Sequence, residues 1–151
     1  MLPLNLPTFA VKVTEKEGKR LILDIIRRKY VTLTPEEWVR QHFINYLIVV
    51  KKYPHELIAN EISIKLNNTT KRCDTIIYDH FINPLMIVEY KAPHIEITKN
   101  VFDQIARYNM SLRVKYLTVS NGINHFCCKI DYNTQTYSFL KEIPEYNKLE
   151  E

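Results

Sequence analysis

Lys71-Arg72-Cys73-Asp74-Thr75-Ile76-Ile77-Tyr78 and Pro84-Leu85-Met86-Ile87-Val88-Glu89-Tyr90-Lys91-Ala92-Pro93 decide how this chain folds. The first stretch is rich in β-branched residues and ends at the turn-prone pair Asp79-His80. The second is an apolar run between two prolines, too short for an ordinary helix and the right length for a buried strand. Alternation along a strand puts Leu85, Ile87, Glu89 and Lys91 on one face and Met86, Val88 and Tyr90 on the other. Both faces are apolar, which predicts a central strand covered on both sides. Charges at the end of such a strand need partners, because an unpaired buried charge is costly. Asp74, one strand earlier, supplies a second carboxylate beside Glu89. Two carboxylates and a lysine at a strand end suit a hard cation such as Mg²⁺.

Working outward, Thr34-Pro35-Glu36-Glu37 is a helix start, with Thr34 as N-cap, Pro35 at N1 and Glu37 completing a capping box. The helix is expected to run through Trp38 to about Lys51. Val39, Phe43, Tyr46, Leu47 and Val50 form its apolar face. At 100° per residue Glu36 projects onto that face and Glu37 away from it. Glu36 is therefore a candidate third acid, or else a first-turn carboxylate that complements the helix dipole. Glu61-Ile62-Ser63-Ile64-Lys65-Leu66 alternates as a half-buried strand does, and Asn67-Asn68-Thr69-Thr70 turns it into the Asp74 strand. Glu61 reads as a weaker metal candidate than Glu36. Beyond Pro93, Thr98 or Asn100 caps a helix to about Met110 that carries Gln104 and Tyr108 four residues apart, on one face. Tyr116-Leu117-Thr118-Val119-Ser120 is a strand reached by a helical crossover, so it is expected parallel to the Glu89 strand. His125–Ile130 and 136–140 predict a further hairpin, and the tail from Pro144 reads as polar and frayed. Toward the N-terminus, residues 1–12 read as an extended lead-in. Phe9–Val13 and Arg20–Ile26 could pair as a hairpin, with 21–26 equally compatible with a short helix. Arg27-Arg28-Lys29 is read as a solvated edge rather than a phosphate contact.

The spacing of Asp74, fourteen residues, then Glu89-Tyr90-Lys91 resembles the D…ExK signature of the PD-(D/E)XK nucleases. Arg72-Cys73-Asp74 with Val88-Glu89-Tyr90-Lys91-Ala92-Pro93 is most similar to the N-terminal nuclease domain of type I restriction enzyme R subunits. Cys73 stands where the superfamily's name has proline. A second E-x-K, Glu17-Gly18-Lys19, lacks this context and reads as loop charges. The resemblance covers roughly residues 33–120. It implies an α/β (α+β) restriction-endonuclease-like core, with a mixed sheet flanked by helices in the order α-β-β-β-α-β. It implies a Mg²⁺-dependent endodeoxyribonuclease, with Mn²⁺ as a possible substitute. In it Asp74, Glu89 and Lys91 are catalytic and Asp74, Glu89 and the Tyr90 backbone carbonyl bind metal. Gln104-x-x-x-Tyr108 matches a Q-x-x-x-Y that the R-subunit domains carry after the catalytic strand, which assigns both residues to DNA contact or to orienting the lysine and its water. The rival readings are a catalytically idle nucleic-acid-binding module of the same fold and a repair or junction-resolving nuclease.

Length and composition agree with one domain, here 1–151, divided into an N-terminal extension 1–32, a core of about 33–120 and a C-terminal hairpin and tail 121–151. At 46% hydrophobic and 25% charged the chain is ordinary globular material. The net charge of +4 permits DNA as a partner without requiring it. Three cysteines without C-x-x-C spacing read as reduced thiols, which points to a cytoplasmic protein without structural zinc. No signal-peptide pattern or membrane-length apolar run is present, so no membrane association is expected. No glycine-rich phosphate loop occurs either. Any translocation is expected from other restriction or motor subunits, which join DNA and a second copy of this chain as expected partners.

Overall fold

A computed structural model describes residues 3–149. Two sheets and one long helix organise them. β1 (Val13–Lys16), β2 (Lys19–Asp24) and β3 (Lys29–Thr32) form a small antiparallel sheet in that order. The stretch that could have been a short helix is therefore strand, turning at Glu17-Gly18, both with positive φ. α1 (Pro35–Val49) follows, then a single 3-10 turn (His55–Leu57). The main sheet has six strands in sequence order: β4 (Ile58–Leu66), β5 (Thr69–Tyr78), β6 (Pro84–Tyr90), β7 (Tyr116–Ser120), β8 (His125–Asp131) and β9 (Thr136–Phe139). α2 (Lys99–Met110) connects β6 to β7, which pair in parallel with Glu89 beside Val119 and Tyr90 beside Ser120. All other neighbours are antiparallel. The element order expected for the core is thus present in a central mixed sheet.

The two faces of the sheet explain the double-sided apolarity of β6. Met86, Val88 and Tyr90 join a core cluster with Val39, Phe43, Ile44 and Leu47 of α1. Ile87 joins a second cluster with Phe102 and Ala106 of α2. Leu85 breaks the alternation and packs with the first cluster, close to a register shift between Ile77 and Tyr78. Cys73, Cys127 and Cys128 are free and buried, and burial raises all three thiols.

Three expectations are corrected. First, α1 is rotated relative to its expected apolar face: Ile44 is fully buried, while Val50, just past the helix, is exposed. The turn carries Glu37 inward, and Glu36 is exposed. Thr34 caps the helix and accepts the Glu37 N–H at 3.1 Å, but the Glu37 carboxylate is committed to Arg40 and Gln41. Second, the tail is not frayed. α3 (Tyr146–Leu149) buries Tyr146 and Leu149 against the first cluster, and the Tyr146 hydroxyl donates to the Tyr78 carbonyl. Two apolar anchors in a polar segment were enough to dock it. Residues 1–2 of the lead-in and 150–151 of the tail lie outside the described residues. Third, Arg27 is no solvated edge; its guanidinium bonds Asp24 at 2.6 Å.

The lead-in is held against the β7–β8 turn. Asn5 N–H donates to the Gly122 carbonyl, and Leu4 lies so close to Gly122 that an added Cβ would meet it at 2.7 Å. With a φ of +85° at Gly122, this turn favours glycine on conformation as well as space.

Candidate active site

β5 and β6 stop pairing at the point where the chemistry is expected. Thr75 pairs with Val88, so the next rung would join Asp74 to Glu89. That rung is replaced by side chains. Asp74 Oδ2 accepts the Tyr90 N–H at 2.9 Å, and the Glu89 carboxyl lies on the same face, opposite Asp74. The Asp74 carboxyl thus takes a backbone donor from β6, and the two carboxyls are within reach of each other. Both side chains are half-buried. The Glu89 carboxyl is pushed well above the usual carboxylate range, first by burial and then by the negative charge of Asp74. The Asp74 N–H and the nearby Lys91 ammonium pull it down without cancelling the rise. Two acids at this distance cannot both ionise cheaply unless a cation joins them.

Lys91 sits just past the strand. Its N–H donates to the Ser120 carbonyl at 2.9 Å, which extends the β6–β7 pairing by one residue and fixes the lysine beside Glu89. The Tyr90 side chain points the other way, fully into the first cluster, where its hydroxyl donates to Thr75 Oγ1 at 3.0 Å.

Behind the carboxylates lies a polar network that sequence reading did not anticipate. Arg40 grips Glu37 with Nε and Nη2 at 2.9 and 2.5 Å, and its Nη1 reaches Glu61 at 2.7 Å and the Asp74 carbonyl at 2.9 Å. Glu61 also takes Arg72 at 2.7 Å. Two arginines outweigh the burial that raises it, and its carboxyl titrates low. A second branch runs through Asp24, which accepts from Arg27 and Asn60, with Asn60 accepting from Thr75. Burial raises Asp24, but the Arg27 and Asn60 donors bring it below its ordinary value. The signal was present in the sequence: Arg40 falls among Val39, Phe43 and Leu47 on the apolar side of α1, three residues after Glu37. A charge there has to find acceptors inside the fold.

The remaining sequence candidates divide. Glu36 does not join the pair: it is exposed, and no group of three or more His, Cys, Asp or Glu side chains able to hold a metal occurs among the described residues. Glu61, ranked below it, stands opposite Asp74 but is spent on arginines. Gln104 and Tyr108 are both exposed on α2, whose buried face is Phe102, Ala106 and Asn109. Lys71 links this helix to β5, its ammonium 3.8 Å from the Tyr108 ring centroid and donating to the Tyr108 carbonyl. His125 is tied to Ser120 and to the Asn5 carbonyl. A groove of about 560 Å³ lies elsewhere, lined by Ile97, Phe102, Phe126 and Phe139 among others, and includes none of Asp74, Glu89 or Lys91.

A mixed sheet with helices packed on its two faces and an acid pair where two central strands part defines a restriction-endonuclease-like α+β protein. Residues 35–144 match the family described as type I restriction enzyme R protein N terminus, and the chain belongs to that family. Among solved structures it is similar to a fragment described as an HsdR subunit of a type I restriction enzyme from Vibrio vulnificus YJ016, with a TM-score of 0.51 and 18% identity. The likeness covers 78% of this chain and 25% of that one, so this chain spans about a quarter of the length of the chain it matches. At that identity it bears on the fold. No curated protein matches.

Proposed function

We propose that this domain is a metal-dependent DNA endonuclease that hydrolyses phosphodiester bonds. The observation that carries the proposal is the Asp74–Glu89 pair. Two carboxyls are forced together, one of them is driven toward its protonated form, and a lysine stands beside them. Membership of the R-subunit N-terminal family supports the same reading.

The donor set fits a hard divalent cation. Mg²⁺ takes oxygen ligands and commonly uses one or two carboxylates with water and substrate phosphate completing the shell. Asp74, Glu89 and the Tyr90 backbone carbonyl would hold it, with Mn²⁺ as a substitute. When bound, such an ion polarises the phosphate and lowers the pKa of its water. The chain's own residues do the rest. Asp74 and Glu89 provide the negative site, with Asp74 held in place by the Tyr90 N–H. Lys91 orients the attacking water or offsets the charge that grows on the phosphate. Gln104 and Tyr108 stand exposed on α2, available to a DNA backbone. DNA and other restriction subunits are the proposed partners. No helix among the described residues is long and apolar enough to cross a membrane.

The test is cleavage of linear, nicked, branched and single-stranded DNA with Mg²⁺, Mn²⁺ or EDTA. Metal-dependent cutting that Asp74→Ala and Glu89→Ala abolish supports the proposal. A preference for branched DNA favours the junction-resolving alternative, and binding without cutting under every metal favours the idle module.

A further inference from the structure

Asp74 is the one residue of central β5 that neither neighbouring strand holds in register. The β5–β6 pairing ends at Thr75–Val88. On the other side Asn60 pairs with Thr75 and Ile62 with Cys73, while Glu61, between them and opposite Asp74, has a φ of +57° and no regular pairing. A backbone carbonyl left inside a sheet in this way needs another donor. Arg40 supplies it from the α1 side, through Nη1 at 2.9 Å.

We propose that Arg40 is a positioning residue for the active site: it clamps the Asp74 peptide where the two ladders fail and so sets the carboxylate that faces Glu89. Only the functional consequence rests on the nuclease reading; the clamp itself does not. The guanidinium is planar, so its acceptors must share its plane. Glu37 holds two of its nitrogens and Glu61 shares the third with Asp74. The clamp thereby ties α1, β4 and β5 at one point. Arg40 is 7% exposed, and a buried ion pair is often replaceable by apolar residues without loss of stability. Stability alone therefore gives little reason for an arginine here, whereas a carbonyl out of register gives a direct one. Glu37 and Glu61, with Arg27 3.6 Å from Glu37 and Arg72 on Glu61, complete the charges around it.

The test uses the full metal-free chain and Arg40→Lys, which keeps the charge and loses the fork. Two amides report on it. The Tyr90 N–H donates to the Asp74 carboxylate, and the neighbouring Lys91 N–H donates to Ser120 on the far side. If Arg40 positions Asp74, Tyr90 hydrogen exchange should speed by about tenfold or more relative to Lys91. A general loss of stability would move both alike. Mn²⁺ affinity, measured by titration, should fall roughly 10- to 100-fold, as for other outer-shell partners of metal ligands. Should Arg40→Lys not fold, Glu61→Gln loosens the same clamp and should shift Tyr90 in the same direction by less. Equal exchange changes at Tyr90 and Lys91, or none at Tyr90, overturn the inference. If wild type binds no Mn²⁺, the metal reading fails, and the Tyr90-to-Lys91 comparison still decides the role of Arg40.

Discussion

Asp74 and Glu89 face each other across a rung that the sheet does not make, the Asp74 carboxyl accepting the Tyr90 N–H from the opposite strand. This arrangement keeps two acids adjacent in a half-buried place, and that carries a cost. Glu89 binds its proton more tightly in the folded chain than its ordinary value of 4.5 allows. A carboxyl raised on folding contributes stability while protonated, and the contribution is lost as pH rises from the ordinary value through the raised one. In EDTA the protein should therefore lose thermal stability from about pH 4.5 upward on account of this group. Glu89→Gln should flatten that slope and raise Tm at pH 8, by about 2–4 °C for each kcal/mol relieved. Thermal melts of both proteins across pH check this. A Glu89→Gln chain that melts lower than wild type at pH 8 would mean that the pair is not in conflict.

Asp24 has the opposite sign. It is fully buried, and its Arg27 and Asn60 donors hold it below its ordinary value of 3.8. Its contribution is present above that value and is lost as pH falls through the lowered one. Asp24→Asn should cost about 1–3 kcal/mol at pH 7, since it strands a charged partner. Its stability should also depend less on pH below about 4. Chemical denaturation at pH 7 and pH 3 measures both. Equal losses at the two pH values would remove Asp24 from the acid response.

The order of strands and helices was legible because the signals were local. Thr34 and Thr98 cap their helices, Asn67-Asn68 turns β4 into β5, and two-sided apolarity marked β6 as central. The Asp74–Glu89–Lys91 grouping was legible from strand alternation and family resemblance. The buried charge of Arg40 was signalled by its place on the apolar side of α1, but its bond to the Asp74 carbonyl and the part of Glu61 were not, because they depend on where the β4–β5 ladder breaks. A positive φ at a glutamate leaves no mark in the sequence. Glu36 and Glu37 were exchanged for a related reason. Helical periodicity locates an apolar stripe but not its exact rotation, and here buried ion pairs on α1 widened the inward face to include Glu37 and Arg40.

Metal binding gives a prediction that needs no DNA. Isothermal titration should detect Mg²⁺ or Mn²⁺, and Asp74→Ala and Glu89→Ala should each weaken binding severely. Mn²⁺ should bind more tightly, because Mg²⁺ gives up its water reluctantly and the divalent series favours the transition metal. Glu36→Ala should leave affinity unchanged, as an exposed side chain outside the pair. Equal affinity in wild type and both pair variants would remove the metal site.

α2 offers a separable test. Tyr108 is 54% exposed, so Tyr108→Ala should change stability little, within about 0.5 kcal/mol apart from its contact with Lys71. If Gln104 and Tyr108 guide DNA or the water, Gln104→Ala and Tyr108→Phe should slow cleavage with metal affinity intact. Full activity in both would return this face of α2 to plain surface.

Lys91 separates a nuclease from an idle binder most directly. Its N–H is fixed to Ser120, and its ammonium stands near Glu89, where it opposes the rise of that carboxyl. Its charge matters most in the transition state, as negative charge grows on the phosphate. Its removal should then reduce turnover more than DNA affinity. Loss of one preorganised electrostatic donor costs roughly 10²- to 10³-fold in rate. Loss of one phosphate contact lowers the salt dependence of binding by about one increment. Lys91→Ala should therefore bind DNA nearly as well as wild type, still bind Mn²⁺, and barely cut. Lys91→Arg should not restore cutting, since a planar fork does not replace a compact ammonium. Gel-shift affinity and cleavage rate must be measured on the same DNA at fixed salt. If Lys91→Ala loses binding while cleavage per bound complex is unchanged, Lys91 docks DNA and takes no part in the reaction.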